Sequence, residues 1–302
     1  MKLMVPLDGS SLAEGALPRA VALASRWQAR LVLARVCDPS GSVAPELPKH
    51  LQEKMLDLSR TAAHDYLVKV RERFPEVSID CVLGVGRPRQ EIARLADQTD
   101  CDLIVMNSHA RKGAERWLLG SVAEGVLRRS SRPVLLLRGQ ADEPVPFTRI
   151  LVPVDGSPLS LGVLEHLQPF LEGDTEVQLY QSSGFLPQEL ALEEESESLQ
   201  HCLDQMATHL REIKLAGCRL EVAVEHGEPA EAIVRWAETH PCQLIAMSTL
   251  GRSGDPSLWL GSVTEKVSRN APCAVLACPV RARPAQPGGE SEPATADVAH
   301  QV

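Results

Sequence analysis

The chain has 302 residues, 44% apolar but only 3% aromatic, and a formal net charge of −9. That length suffices for two domains of ordinary size, each with an aliphatic core. The acidic balance argues against nucleic acid as a partner, because phosphate backbones select basic surfaces, and gives no reason to expect an anionic membrane.

In chain order, residues 2–7 form a continuous apolar run, predicting a strand buried on both faces. Residues 11–28 read as a helix with Ser10 or Ser11 at its cap, and 30–36 as the next strand. A long helix is expected over 51–74, closed by Pro75, then a strand over 77–83. Pro88 opens a helix to 98, in the favoured first position for proline. A strand over 102–107, a helix over 122–129 and a strand over 134–138 complete the set. Strands alternating with helices predict a parallel sheet covered on both faces, joined by right-handed crossovers. No apolar run reaches the about 18–20 residues that span a bilayer. Met1–Pro6 leaves no room for a leader, so a cytoplasmic location is expected.

The pattern then starts again. Leu3-Met-Val-Pro-Leu-Asp8-Gly-Ser10 returns as Ile150-Leu-Val-Pro-Val-Asp155-Gly-Ser157, and Trp117-Leu-Leu-Gly120-Ser121-Val122 returns as Trp259-Leu-Gly261-Ser262-Val263. Asp8 and Asp155 lie 147 positions apart, whereas Gly86/Gly227, Leu103/Leu244 and Gly120/Gly261 lie 141 apart. The second copy is thus six residues shorter, all lost between its first strand and Gly227. So long a period marks duplicated domains rather than a solenoid. The expected units are 1–140 and 147–280, with a linker over 139–146 and a disordered tail over 281–302 rich in Pro, Gly, Ala and Glu. The acidic stretch at Glu189 and Glu193–Glu197 is expected to be the solvated start of a helix. The eight cysteines include no Cys-x-x-Cys pair and are expected to be reduced. His201, Cys202 and His209 converge on no recognisable metal-ligand spacing, so no metal site is expected.

Parallel α/β sheets bind ligands beyond the carboxyl ends of their strands, where strand order reverses. Three segments converge there in each half. The first strand ends in Pro-x-Asp-Gly-Ser, with Pro6, Leu7 and Asp8 in one half and Pro153, Val154 and Asp155 in the other. The fourth ends in Met106-Asn107-Ser-His-Ala-Arg111 or Met247-Ser248-Thr-Leu-Gly251-Arg252. A loop then leads to Gly120-Ser121-Val122 or Gly261-Ser262-Val263, which opens a helix. Amides at a helix N-terminus bind anions, glycine permits close approach, and an arginine adds charge. A carboxylate there can accept from ribose hydroxyls or hold a cation bound to phosphates. The alternative is that Asp-Gly-Ser is an Asx turn and Gly-Ser a simple helix cap.

Together these motifs resemble the universal stress protein family in its tandem form, over roughly residues 1–138 and 148–280. The resemblance implies two Rossmann-like α/β domains (adenine nucleotide α-hydrolase-like), each a five-stranded parallel sheet of order 3-2-1-4-5 with helices on both faces. It also implies an intramolecular pseudo-dimer through the last strands, 133–138 and Ala274–Cys278, with scope for a further homodimer. The ligand it implies is ATP or another adenine nucleotide, with Mg2+ or Mn2+ held by the phosphates. Family members that bind ATP carry Gly-x2-Gly-x9-Gly-Ser/Thr after the fourth strand. Here the first half reads Asn107-x2-Ala110-x9-Gly120-Ser121 and the second Ser248-x2-Gly251-x9-Gly261-Ser262. The second half has Ser257 where the first has Arg116, and places Asp255 and Pro256 in this loop. The family's apolar adenine contact fits Val36 but not its counterpart Ser182. The first half therefore has the better base pocket, and the second the better phosphate loop, on Gly251 alone; the balance tips to the second.

Gly84-Val-Gly86-Arg has Arg at the third glycine position of a dinucleotide fingerprint, and Gly86 and Gly227 instead predict a turn before a proline-initiated helix. His109 has Leu250 as its counterpart, which argues against a catalytic base. The expected function is stress sensing or regulation through a bound nucleotide, without catalysis. The alternatives are a nucleotide-free interaction module and a slow ATPase using the same pocket.

Overall fold

The computed structural model describes residues 1–39, 48–108, 119–138, 147–171, 173–183, 218–251 and 260–280. The expected linker, the acidic stretch, the tail, His109–Arg111, Arg116, His201, Cys202, His209, Arg252 and Asp255–Ser257 lie outside the described residues.

In the first half, β1 (Lys2–Pro6) leads to α1 (Ser11–Glu14), α2 (Leu17–Arg26) and β2 (Arg30–Cys37). Then come α3 (Lys49–Arg71), β3 (Ile79–Val85), α4 (Pro88–Gln98), β4 (Leu103–Asn107), α5 (Ser121–Leu127) and β5 (Val134–Leu137). The second half follows with β6 (Arg149–Val154), α6 (Pro158–Leu161), α7 (Leu164–Leu167), a 3-10 turn (Gln168–Phe170) and β7 (Glu176–Ser183). It ends with β8 (Arg219–His226), α8 (Pro229–Thr239), β9 (Leu244–Ser248), α9 (Ser262–Asn270) and β10 (Ala274–Cys278). The helix expected over 11–28 is two pieces. Gly15 closes α1 and Pro18 sits in the first turn of α2, so the ladder restarts between them.

All strands among the described residues belong to one ten-stranded sheet of order β3-β2-β1-β4-β5-β10-β9-β6-β7-β8. Each half is thus an α/β unit of order 3-2-1-4-5 with every internal pairing parallel. The halves meet where β5 and β10 run antiparallel, with Leu135 opposite Leu276 and Leu136 opposite Val275.

Strand side chains alternate between faces, so one sheet builds two cores. Leu3, Val5, Leu33, Leu135, Ile150 and Leu276 face one side, packed with Leu17, Leu67 and Leu164 from the helices. Met4, Ile104, Leu136, Leu151, Ile245 and Val275 face the other, packed with Ile92, Val126, Ile233 and Val267. Leu135, Leu136, Val275 and Leu276 are fully buried at the seam, and each such side chain contributes about 1.5–3 kcal/mol. Above one face of the seam, Arg128 pairs with Glu265 at 2.5 Å and Arg269 with Glu124 at 2.7 Å. These are equivalent residues exchanged between halves, as an internal two-fold requires.

The repeat also fixes the special backbone positions. Among the described residues, the positive-φ glycines are Gly9 (86°), Gly86 (141°), Gly156 (79°) and Gly227 (154°), two equivalent pairs. Gly9 and Gly156 turn the chain out of the central strand. Gly86 and Gly227 turn it into the proline-initiated helices α4 and α8, as expected from sequence.

Candidate functional site

Strand order reverses beside β1 in the first half and beside β6 in the second. A cavity opens at the carboxyl end of each. The first, about 340 Å3, is lined by Pro6, Leu7, Asp8, Val36, Met106, Asn107 and Val122 from the sequence-derived set. Gly120 and Ser121 are not part of its lining. The second, about 370 Å3, is lined by Pro153, Val154, Asp155, Met247, Ser248, Gly251, Gly261, Ser262 and Val263. It therefore joins the strand ends to the helix-opening Gly-Ser pair in one space, within the size range of small-molecule sites. Arg111 and Arg252 lie outside the described residues.

The Asp-Gly-Ser motif is an Asx turn and a helix cap in both halves. Asp8 Oδ1 accepts from the Ser10 backbone N–H (2.9 Å) and hydroxyl (2.6 Å), and Ser10 Oγ accepts from the Ala13 N–H. Asp155 Oδ1 accepts from the Ser157 N–H (3.0 Å) and hydroxyl (2.6 Å), and Ser157 Oγ accepts from the Ser160 N–H. The carboxylate is thereby held in a fixed orientation at the cavity mouth.

The Gly-Ser motif behaves differently. Gly120 and Gly261 occupy the cap positions of α5 and α9, and neither helix has a side-chain cap. Ser121 and Ser262 stand exposed as the first helical residues. The opening N–H groups of a helix have no intrahelical acceptor, so an uncapped end is suited to an anion. Gly261 is also held close, its N–H donating to Thr249 O at 2.7 Å, and a Cβ there would lie 3.1 Å from that oxygen.

Two positions work otherwise than their sequence suggests. Asn107 stands where the family has glycine, yet it does not have positive φ; among the described residues the non-glycine residues that do are Gln28 and Asp100. Its amide donates to Leu12 O at 2.7 Å, and the equivalent Ser248 hydroxyl donates to Leu159 O at 2.7 Å. Each tethers its fourth strand to the first helix. Gly251 is needed neither for positive φ nor only for a phosphate. A Cβ there would collide with Asp155 Oδ2, so the missing side chain makes room for the protein's own carboxylate.

Sequence reasoning also missed residues at the base end. Pro88 and Ile92 line the first cavity, and their equivalents Pro229 and Ile233 the second. The 141-residue offset marks both pairs and could have found them. The larger omission is Tyr180. Pro6 pairs with Ala34 and Pro153 with Tyr180, so a tyrosine stands where the first half has alanine. Tyr180 is fully buried and packs on Trp236 at 5.2 Å. Its hydroxyl lies 3.1 Å from Glu225 Oε2, and Glu225 replaces Gly84. Burial and the Glu225 carboxylate push the phenol above its usual range, so it stays a neutral donor. Ser182 lines the cavity too, with its hydroxyl donating to Gly227 O at 2.9 Å. The second base end is thus walled by an aromatic ring, the first by Ala34 and Val36.

Fold and cavities together define a tandem Rossmann-like protein with a ligand-sized cleft at each switch point. The universal stress protein family matches residues 1–138 and residues 146–279, and the chain belongs to that family. A universal stress protein of Methanocaldococcus jannaschii is 33% identical over 140 residues, covering 45% of this chain and 81% of that protein. The universal stress protein YxiE of Bacillus subtilis is 29% identical over 145 residues, covering 45% and 98%. The crystal structure of a universal stress protein from Archaeoglobus fulgidus superposes with a TM-score of 0.71 at 22% identity. It covers 92% of this chain and 97% of its own, and shows the same fold.

Proposed function

We propose that this stress-family protein holds ATP or a related adenine nucleotide in its second half and acts as a sensor or regulator rather than a catalyst. The observation that carries this reading is the continuous second cavity, which runs from Tyr180 and Ser182 to Gly261 and Ser262. Adenine would lie against Tyr180, Ile233 and Met247, an apolar slot with one aromatic wall. The ribose would reach the Asp155 carboxylate, whose orientation the Ser157 bonds fix. The phosphates would meet the uncapped start of α9 and the Ser262 hydroxyl. A divalent cation, where one binds, would be held by the phosphates.

The first cavity has the base-side residues but does not reach Gly120 or Ser121, which supports an unequal pair of sites. The halves would act as a pseudo-dimer across the β5–β10 seam, units 1–140 and 147–280, in the cytoplasm. Nucleotide content of the freshly purified chain tests the reading. Adenine nucleotide retained by Gly120→Asp and lost from a folded Gly261→Asp supports it, and unchanged content in Gly261→Asp refutes it. Phosphate release with magnesium or manganese at a rate dependent on Asp155 would instead make the protein a slow ATPase.

A further inference from the structure

Among the described residues, the second half carries a pair of adjacent thiols that the first half lacks. Cys242 and Cys273 lie at the amino ends of β9 and β10, away from the cavities, with their sulfurs 3.5 Å apart. The equivalent positions in the first half hold Cys101 and Arg132, so the fold does not need a thiol pair there. Cys101 is buried with Thr99 at 3.1 Å, whereas Cys242 and Cys273 are both only partly buried.

We propose that Cys242 and Cys273 form a reversible disulfide, making this a modification site for oxidants of the hydroperoxide class. Cys242 is the attacking thiol. The hydrogen bond that the two sulfurs share holds the Cys242 thiol below the usual range, and the Arg149 charge acts the same way. The same bond and burial push the Cys273 thiol up. The Cys242 thiolate attacks the distal oxygen of a hydroperoxide, breaking the O–O bond. The alkoxide leaves as an alcohol after taking a proton, and Cys242 becomes a sulfenic acid. The Cys273 sulfur then attacks the Cys242 sulfur, and the sulfenic oxygen leaves as water with the Cys273 proton. In sum, two thiols and one hydroperoxide give a disulfide, an alcohol and water.

The position gives the bond a consequence. Residues 242 and 273 bracket Gly251, Gly261 and Ser262, so the cross-link closes the segment that forms the helix-opening side of the second cavity. Cys273 O also accepts from Arg138 Nε at 3.4 Å, next to the seam. Cross-linking restricts the unfolded chain and therefore raises stability.

The test is titration of the full chain with hydrogen peroxide, followed by alkylation and peptide mapping. The expected product is one disulfide, Cys242–Cys273, with loss of two titratable thiols, a raised unfolding midpoint and full reversal by dithiothreitol. Cys242→Ser and Cys273→Ser should each abolish it, while Cys278→Ala should not. A different pairing, or Cys242 oxidised past sulfenic acid with Cys273 still free, would overturn the proposal. So would a disulfide that persists in folded Cys273→Ser.

Discussion

Replacing Gly251 with alanine sets a methyl group against the Asp155 carboxylate. Its φ lies outside the left-handed region, so alanine meets no backbone strain and the whole effect comes from that contact. Asp155 can yield only by swinging away from the turn, which loosens the bonds that its Oδ1 accepts from the Ser157 N–H (3.0 Å) and hydroxyl (2.6 Å). Charge-assisted bonds contribute about 1.5–3 kcal/mol each when buried, and a partly exposed carboxylate keeps less. A total near 2 kcal/mol follows, or about 3 °C in the unfolding midpoint of a chain this size, at about 2.1 cal/mol/K of unfolding entropy per residue. The assay is thermal unfolding of a double-mutant cycle with Asp155→Ala. Gly251→Ala should be costly in the parent and nearly free once the carboxylate is gone. Strictly additive costs, or a Gly251→Ala protein as stable as the parent, would refute the contact.

Other consequences are equally specific. Arg128→Ala and Arg269→Ala should each cost about 0.5–1 kcal/mol at low salt, discounted for partial exposure. Most of that should vanish in 1 M sodium chloride, where the Debye length is about 3 Å, as denaturant titration would show. Leu136→Ala, at a fully buried seam position, should cost about 2–5 kcal/mol in the same titration. Glu14, held low by its hydrogen bond to Arg73, and Glu228, held low by its hydrogen bond to Lys266, should destabilise the fold on acidification. A depressed folded pKa gives stability that is present above the unfolded value of 4.5 and lost as pH falls through the folded value. Glu14→Gln should therefore flatten the stability profile below about pH 5 relative to the parent.

The repeated motifs made the strand order and the turn glycines legible, because equivalent residues had to do equivalent work. Gly86 and Gly227 read correctly for that reason. The break in the first helix is signalled by Gly15 and Pro18, two local breakers within the stretch 11–28. Tyr180 was hidden because the run Glu176–Ser183 mixes Val177, Leu179 and Tyr180 with Glu, Gln and Ser, so its pattern does not tell which face meets a cavity. Only the register, Pro153 opposite Tyr180, does so. Gly251 was read as a phosphate glycine because its nearest neighbour, Asp155, is 96 positions away in the chain. The same blindness to distance concealed the Cys242–Cys273 pair, which sequence alone scatters among eight cysteines.

Nucleotide binding in the second half is measured most directly by photolabelling of the full chain with 8-azido-ATP, with unlabelled ATP as competitor and peptide mapping of the product. Nucleotide binding in the second half predicts competable label on the segment that contains Tyr180 and Ser182 or on that containing Ile233. Label confined to the segment with Ala34 and Val36, or label that ATP does not displace, would contradict it.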